Sequence, residues 1–329
     1  KETDIHPPGY FLLIHFVLRF LNNETLSLRC ISLIFSTLSV LVLYLIGKEI
    51  YSKKMGLCAA CFFAVSPYGV HFSHMVRPYP LTMLLALFST WVLVKYIKAN
   101  SSQIKCLYCG LYLLLAVSGL YTIYTFIYVI IFQVALILLQ NMYDFKHWLK
   151  TTFLYVSVAL LYIPWLPSFL NQYRIVQSGD RYFVGNSNPL LALEFLFSFN
   201  FSDRLPGNYA WYKFIILGMV TFMCLCGLFI LIKQKFSRLL LISFVVCTVA
   251  VFLIDLYART NTISVPHHMY FIAPFSFLIL ASGVCFFKKP FYQILWFAAI
   301  LILLSINLII AFNNPHTIDG PCSTQYFTS

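Results

Sequence analysis

Cys30-Ile-Ser-Leu-Ile-Phe-Ser-Thr-Leu-Ser-Val-Leu-Val-Leu-Tyr-Leu-Ile-Gly47 runs without a charge between Arg29 and Lys48. A bilayer core takes about 20 apolar residues per helical crossing, down to roughly 17 for a short one, so this stretch reads as a membrane span. Runs of the same kind recur at 55–76, 78–94, 151–173, 214–232 and 239–254, and 260–287 and 290–318 each hold one with a polar end. The run 106–143 is too long for one helix and suits two, joined at 119–122. The sequence therefore predicts about ten transmembrane helices. Residues 10–21, interrupted by Arg19, form a shorter run that reads as an interfacial or re-entrant helix.

Composition agrees. With 61% hydrophobic and only 10% charged residues, the chain is not a soluble globule of ordinary make-up. The apolar runs are solid rather than alternating, which argues against a β-barrel. The fold class expected is an all-α polytopic membrane protein, with residues 1–329 as a single transmembrane domain.

The two charges that close the opening run also state the topology. Lys48, Lys53 and Lys54 share a loop, Lys95, Lys98 and Lys105 the next loop on that side, and the pattern continues through Lys146, Lys150, Lys233, Lys235, Arg238, Lys288 and Lys289. Basic residues at the ends of alternate spans are the positive-inside signature. The net charge of +12 thus reads as topology, with no call for a nucleic-acid partner. The other basic residues are mostly arginines, and they fall with eight of the ten acidic residues on the opposite, exoplasmic side. That side takes residues 1–29, the long loop 167–211 and the tail 313–329. An outward start implies an earlier span before Lys1. The membrane is a bacterial inner membrane or a plasma or endoplasmic-reticulum membrane.

Polar chemistry gathers on the outer side. Glu2, Asp4 and His6 run into Pro7 and Pro8 and then into apolar sequence. Prolines suit the start of a helix, so reactive groups sit in a rigid turn where the chain meets the membrane, with a helix beginning near Pro8. A second cluster, residues 66–80, carries Ser73, His74, Arg77 and Tyr79. Arg77 there can snorkel to headgroups or bind a phosphate bidentately, with the neighbouring hydroxyls and imidazole as neutral donors. Tyr121, Thr122 and Tyr124 form a third cluster, either an aromatic belt or the lining of a sugar or headgroup pocket. A fourth is Val265-Pro-His-His-Met-Tyr270. Adjacent histidines point apart on a helix, so one of them as a donor to an anion fits better than a zinc site. Cysteine pairs such as Cys58/Cys61 and Cys224/Cys226 lie in apolar helices, where cysteine packs as a small hydrophobe.

Five of these segments, in order, resemble a known family. Asp4-Ile-His-Pro-Pro-Gly-Tyr-Phe-Leu-Leu-Ile-His15 is similar to the D-x-H-P-P-x-Y segment of GT-C membrane glycosyltransferases, nearest to glycosyltransferase family 39. That group holds the protein mannosyltransferases and the aminoarabinose transferases. Glu24-Thr-Leu-Ser-Leu-Arg-Cys-Ile-Ser32 resembles its S-E-x-x-L-R-x-x-S, and Ser66-Pro67 with Ser73, Arg77 and Tyr79 its S-P … S-x-x-x-R-x-Y. Tyr121-Thr-Ile-Tyr124 resembles Y-T-H-Y with Ile123 in place of histidine, and Tyr162-Ile-Pro-Trp-Leu-Pro167 resembles L-P-W-L-P. The set covers roughly the first half of the chain.

The resemblance implies a GT-C-like fold and a hexosyl- or pentosyltransferase. Its donor would be a polyprenyl- or dolichyl-phosphate-linked sugar, used on the exoplasmic face. Acceptors in such families are hydroxyls of proteins, lipids or glycans. Asp4 matches the family's D-x-H-P-P aspartate and is the catalytic carboxylate available in this sequence, while the family's usual catalytic acidic pair is expected upstream of Lys1. His6, Arg77, Tyr79 and His268 would bind the donor phosphate and lipid, and Tyr121 and Tyr124 would line a sugar or acceptor pocket. No metal ligand set is assigned, although a divalent metal is compatible with the chemistry. The loop 167–211 reads as acceptor recognition, a lid, or a solvated loop. Two other readings stand beside the enzyme: a sugar-lipid transporter, which would usually show internal repeats, and a relative that binds the lipid carrier without catalysis.

Overall fold

The computed structural model describes residues 7–20, 24–140, 145–178, 210–258, 271 and 273–313 of the chain. All regular structure among them is helical. The helices are α1 (Gly9–Leu18), α2 (Glu24–Ile50), α3 (Lys53–Ala64), α4 (Pro67–Ser73), α5 (Tyr79–Lys98), α6 (Ser102–Thr122) and α7 (Phe126–Gln140). They continue as α8 (Phe145–Tyr162), a 3-10 turn (Ile163–Trp165), α9 (Leu166–Ser178), α10 (Ala210–Lys233), α11 (Lys235–Ala258), α12 (Ala273–Val284) and α13 (Pro290–Asn313).

Every apolar run contains a helix. Among the described residues, seven helical stretches are long and apolar enough to cross a membrane, while α1, α7 and α12 are shorter apolar helices. At 1.5 Å per residue, ten-residue α1 is about 15 Å long, half a hydrocarbon core, which agrees with an interfacial placement. It starts directly after Pro8, whose carbonyl accepts from Leu12 N at 2.9 Å.

Two runs differ from the sequence reading. Residues 55–76, expected as one span, break at Val65–Ser66 into α3 and α4. Pro67 has no N–H to give back to the preceding turn, and Ser66 replaces the lost ladder by donating to Phe63 O at 2.9 Å and accepting from Gly69 N at 3.0 Å. The second difference is the corner of the 106–143 run, which falls at residues 123–125 instead of 119–122. Gly119 stays inside α6 because the Phe126 ring folds back onto it; a Cβ there would lie 2.3 Å from that ring.

Small residues set the closest helix crossings. A Cβ on Gly47 of α2 would lie 2.5 Å from Gly56 Cα of α3. A Cβ on Gly227 of α10 would lie 2.2 Å from Ile279 O, and one on Gly283 of α12 would lie 2.1 Å from Met223 O. Without a hydrophobic drive between helices in lipid, backbone approach of this kind carries much of the association. Helix α2 packs on α3 and α5; α3 continues to α12 and α12 to α10, α5 continues to α6 and α7, and α11 touches both α7 and α10.

A polar knot ties α5 to α8. Gln133, fully buried in α7, donates from Nε2 to Ser89 Oγ at 2.8 Å and Thr90 Oγ1 at 3.0 Å, and its Oε1 accepts from Tyr112 O–H at 2.7 Å. Tyr155 of α8 lies 3.2 Å from the same Tyr112 hydroxyl. Each member is satisfied, so the knot fixes register without an orphaned dipole. Gln133→Leu removes the bonds to Ser89 and Thr90 and the nearer of the two acceptors of the Tyr112 hydroxyl, and should cost about 1–3 kcal/mol. Thermal unfolding of the purified protein measures it, and an unchanged midpoint would show that the knot carries no stability.

Glu49, at the C-terminal end of α2, meets Lys95 and Lys98 at the C-terminal end of α5, with Lys98 Nζ 3.5 Å from its Oε2. The pair of lysines marks that end of the bundle as the basic one. The N-terminal ends of α2, α5 and α7 and the C-terminal ends of α6 and α8 therefore share the other end.

Candidate functional site

At that other end the five sequence motifs meet. The first contributes Gly9 and Tyr10. Gly9 sits against the Tyr121 backbone so closely that a Cβ would lie 2.6 Å from Tyr121 O, which brings the first and fourth motifs together. Tyr10 is only 4% exposed, and Ser32 of α2, the last residue of the second motif, acts on its hydroxyl. Ser32 is 2% exposed and in turn donates to Met75 O at 2.8 Å, two residues before Arg77 of the third motif.

Arg77 is exposed at the start of α5. Its guanidinium acts electrostatically on the hydroxyls of both Tyr10 and Tyr79. Burial pushes the Tyr10 phenol up to about 12, with Ser32 and the Arg77 charge pulling the opposite way. The phenol is therefore a neutral donor at physiological pH. A planar five-donor cation flanked by two phenols, at the rim of an apolar bundle, suits a phosphate.

Ser73 and His74 do not join as expected. Ser73 donates inward to Val70 O at 2.6 Å. His74 Nδ1 also lies 2.7 Å from Val70 O, and since a carbonyl can only accept, that nitrogen carries the proton. Both donors are spent on closing α4, so an anion beside Arg77 does not meet them.

Tyr121 and Tyr124 face the fifth motif. Tyr121 O–H donates to Leu161 O at 3.1 Å, and its ring meets Tyr162 edge-on with centroids 5.5 Å apart. Tyr124 accepts from Trp165 Nε1 at 3.1 Å, hydrogen-bonds the Gln172 side chain and packs on Phe169 at 5.0 Å. Their hydroxyls hold the α8–α9 junction to the α6–α7 corner. What remains for a ligand is ring surface. Ile123, which stands where the family pattern has histidine, is buried in the core.

Asp4, His6 and His268 lie outside the described residues, as do residues 179–209 of the long loop and the tail beyond residue 313. The first part of the expected loop, by contrast, is helix α9. No group of three His, Cys, Asp or Glu able to hold a metal ion occurs among the described residues. The structure adds Tyr10 and Ser32, which the sequence reading quoted inside motifs without giving either a role. The signal was available: Tyr10 closes the D-x-H-P-P-x-Y pattern and Ser32 closes the second motif.

No curated protein matches the chain. Among solved structures, the fold is similar to the archaeal oligosaccharyltransferase AglB from Archaeoglobus fulgidus, determined in complex with an inhibitory peptide and a dolichol-phosphate. The TM-score is 0.57 at 12% identity, over 97% of this chain and 49% of that one, so the chain spans about half the length of AglB. At that identity the likeness speaks for a shared GT-C-type fold alone. The sequence match is more specific, because it takes in the five motifs apart from Asp4: residues 5–170 fit dolichyl-phosphate-mannose-protein mannosyltransferase, and the chain belongs to that family.

Proposed function

We propose that the protein transfers a sugar from a polyprenyl- or dolichyl-phosphate donor to a hydroxyl of a protein, lipid or glycan, on the exoplasmic face. The observation that carries this reading is the meeting of five motifs around Arg77, Tyr10 and Tyr79 at the end of the bundle opposite the Glu49–lysine pairs. In such a reaction a carboxylate takes the acceptor hydroxyl's proton, the oxygen attacks the anomeric carbon, and the bond from that carbon to the phosphate oxygen breaks. The leaving phosphate keeps the electron pair and needs charge stabilisation more than a proton. Arg77 and the two phenols supply that stabilisation, with His6 and His268 as further donors. Asp4, three residues before Pro7, is the base in this chain's own residues, and the Tyr121 and Tyr124 rings give the sugar or acceptor an apolar wall.

The test is transfer itself. Membranes holding the full-length protein are given radiolabelled mannosyl-phosphoryl-dolichol, and label is followed into protein, lipid and glycan fractions. Label leaving the donor for a hydroxyl-linked product supports the reading. Intact donor crossing the membrane unconsumed would instead favour a transporter. Asp4→Asn, which keeps shape and removes the base, should slow transfer by about 10²–10⁴ while dolichyl phosphate still binds. An undiminished rate would remove Asp4 from the mechanism.

A further inference from the structure

At the basic end of the bundle, far from Arg77, an apolar cavity of about 380 Å³ lies where α11 parts from α2, α3 and α12. Its walls are Ile50 of α2, Met55 of α3, Leu231 of α10, Leu241 and Phe244 of α11, and Leu278 of α12. Ser237 is the polar residue of the lining, and its proton is already engaged by Gln234 Oε1 at 3.4 Å. The interior therefore suits hydrocarbon. From Lys235 to Phe244, α11 rises about 13 Å, close to the half-thickness of a hydrocarbon core. The cavity thus reaches from one membrane surface about as deep as a single leaflet.

The mouth is cationic. Lys98 hydrogen-bonds Glu49 at the end of α2 and stands 5.4 Å from the Phe236 ring, which sets the first turn of α11 beside the end of α2. Lys235 opens α11, Arg238 follows Ser237, and Lys53 and Lys54 open α3 directly before Met55; all four are exposed. Glu49 is already shared between Lys95 and Lys98. Among the described residues, no carboxylate pairs with Lys53, Lys54, Lys235 or Arg238. A zwitterionic lipid would leave these charges uncompensated, and a small anion would leave the apolar cavity bare. An anionic phospholipid answers both. Alternating basic loops mark this end as the inner face, and basic pockets between helices on that face suit anionic headgroups.

We propose that this cavity is a binding site for an anionic phospholipid. One acyl chain lies between α11 and the α2, α3 and α12 wall, and Lys53, Lys54, Lys235 and Arg238 hold the phosphate. The site stands apart from the donor site and does not depend on the reading of Arg77.

The experiment places the full-length protein in phosphatidylcholine nanodiscs containing phosphatidylglycerol with a diazirine midway along one acyl chain. After photolysis, peptide mapping of the wild type should find adducts within residues 237–244 and 275–279. Unlabelled phosphatidylglycerol should compete them away and phosphatidylcholine should not. Lys235→Gln combined with Arg238→Gln should lower this labelling roughly 25-fold, about fivefold for each charge removed. Leu241→Trp fills the cavity and should abolish the same adducts, with gel filtration reporting folding. The wild-type map stands whether or not that variant folds. Adducts spread over the lipid-facing sides of α8 and α13, or equal competition by phosphatidylcholine, overturn the site. Displacement by dolichyl phosphate as effective as that by phosphatidylglycerol also overturns it, and gives the cavity to the tail of the sugar donor.

Discussion

Arg77→Ala abolishes sugar transfer, with a fall of about 10²–10³ or more, and takes dolichyl phosphate binding with it. The size follows from what is removed. Among the described residues Arg77 is the charged group acting on the Tyr10 and Tyr79 phenols, which are neutral. A departing phosphate in a site bordered by lipid has little water to spread its charge, so a fixed guanidinium counts for more there than on a soluble surface. Arg77→Lys separates charge from geometry. Lysine keeps the positive charge and loses the planar fork, so partial binding with poor turnover is expected. The thermal midpoint of both variants is the accompanying check on folding.

Gly283→Leu has the largest expected effect on stability. Its Cβ would stand 2.1 Å from Met223 O and 2.8 Å from Met223 C, both backbone atoms of α10, and no rotamer relieves that. The two helices must part along the Gly227–Gly283 crossing. The cost should reach about 3 kcal/mol or exceed it, the upper range for overpacking. Gly218→Leu is the control in the same helix α10, since nothing lies within 4 Å of a Cβ there. Fluorescence-detected gel filtration should show a lost or aggregated peak for the first and a normal one for the second. Equal profiles would mean that small residues do not govern this contact.

The sequence showed the class of fold plainly, because the signal is a sum over long apolar runs and is insensitive to where any helix ends. It also showed the first-half motifs. Where local chemistry decides a boundary, the sum fails. Residues 55–76 are apolar throughout their first part, and the missing N–H of Pro67, with the Ser66 hydroxyl bonding both ways beside it, splits them into α3 and α4. The corner at 123–125 was misplaced because Gly119 reads as a break in a sequence, whereas in the fold it is a seat for Phe126.

The site was legible by residue type and not by partnership. Arg77 and Tyr79 stand in one motif and stay together. Ser73 and His74, from the same motif, turn back onto the Val70 carbonyl of α4. Tyr10 and Ser32 meet only through the packing of α1 on α2, which no spacing along the chain encodes. The hydroxyls of Tyr121 and Tyr124 turned out to be spent on the α8–α9 junction for the same reason: their partners lie about forty positions away.

The central claim is that the donor phosphate sits where the five motifs meet. Photocrosslinking tests it most directly, with a dolichyl phosphate bearing a diazirine in the isoprene unit next to the phosphate, followed by peptide mapping of the labelled full-length protein. Adducts should fall within residues 9–12, 32–36, 74–80 and 120–125, and should be competed away by unlabelled dolichyl phosphate. Competed adducts confined to the lysine-rich end, around residues 48–54 and 95–105, would contradict the account.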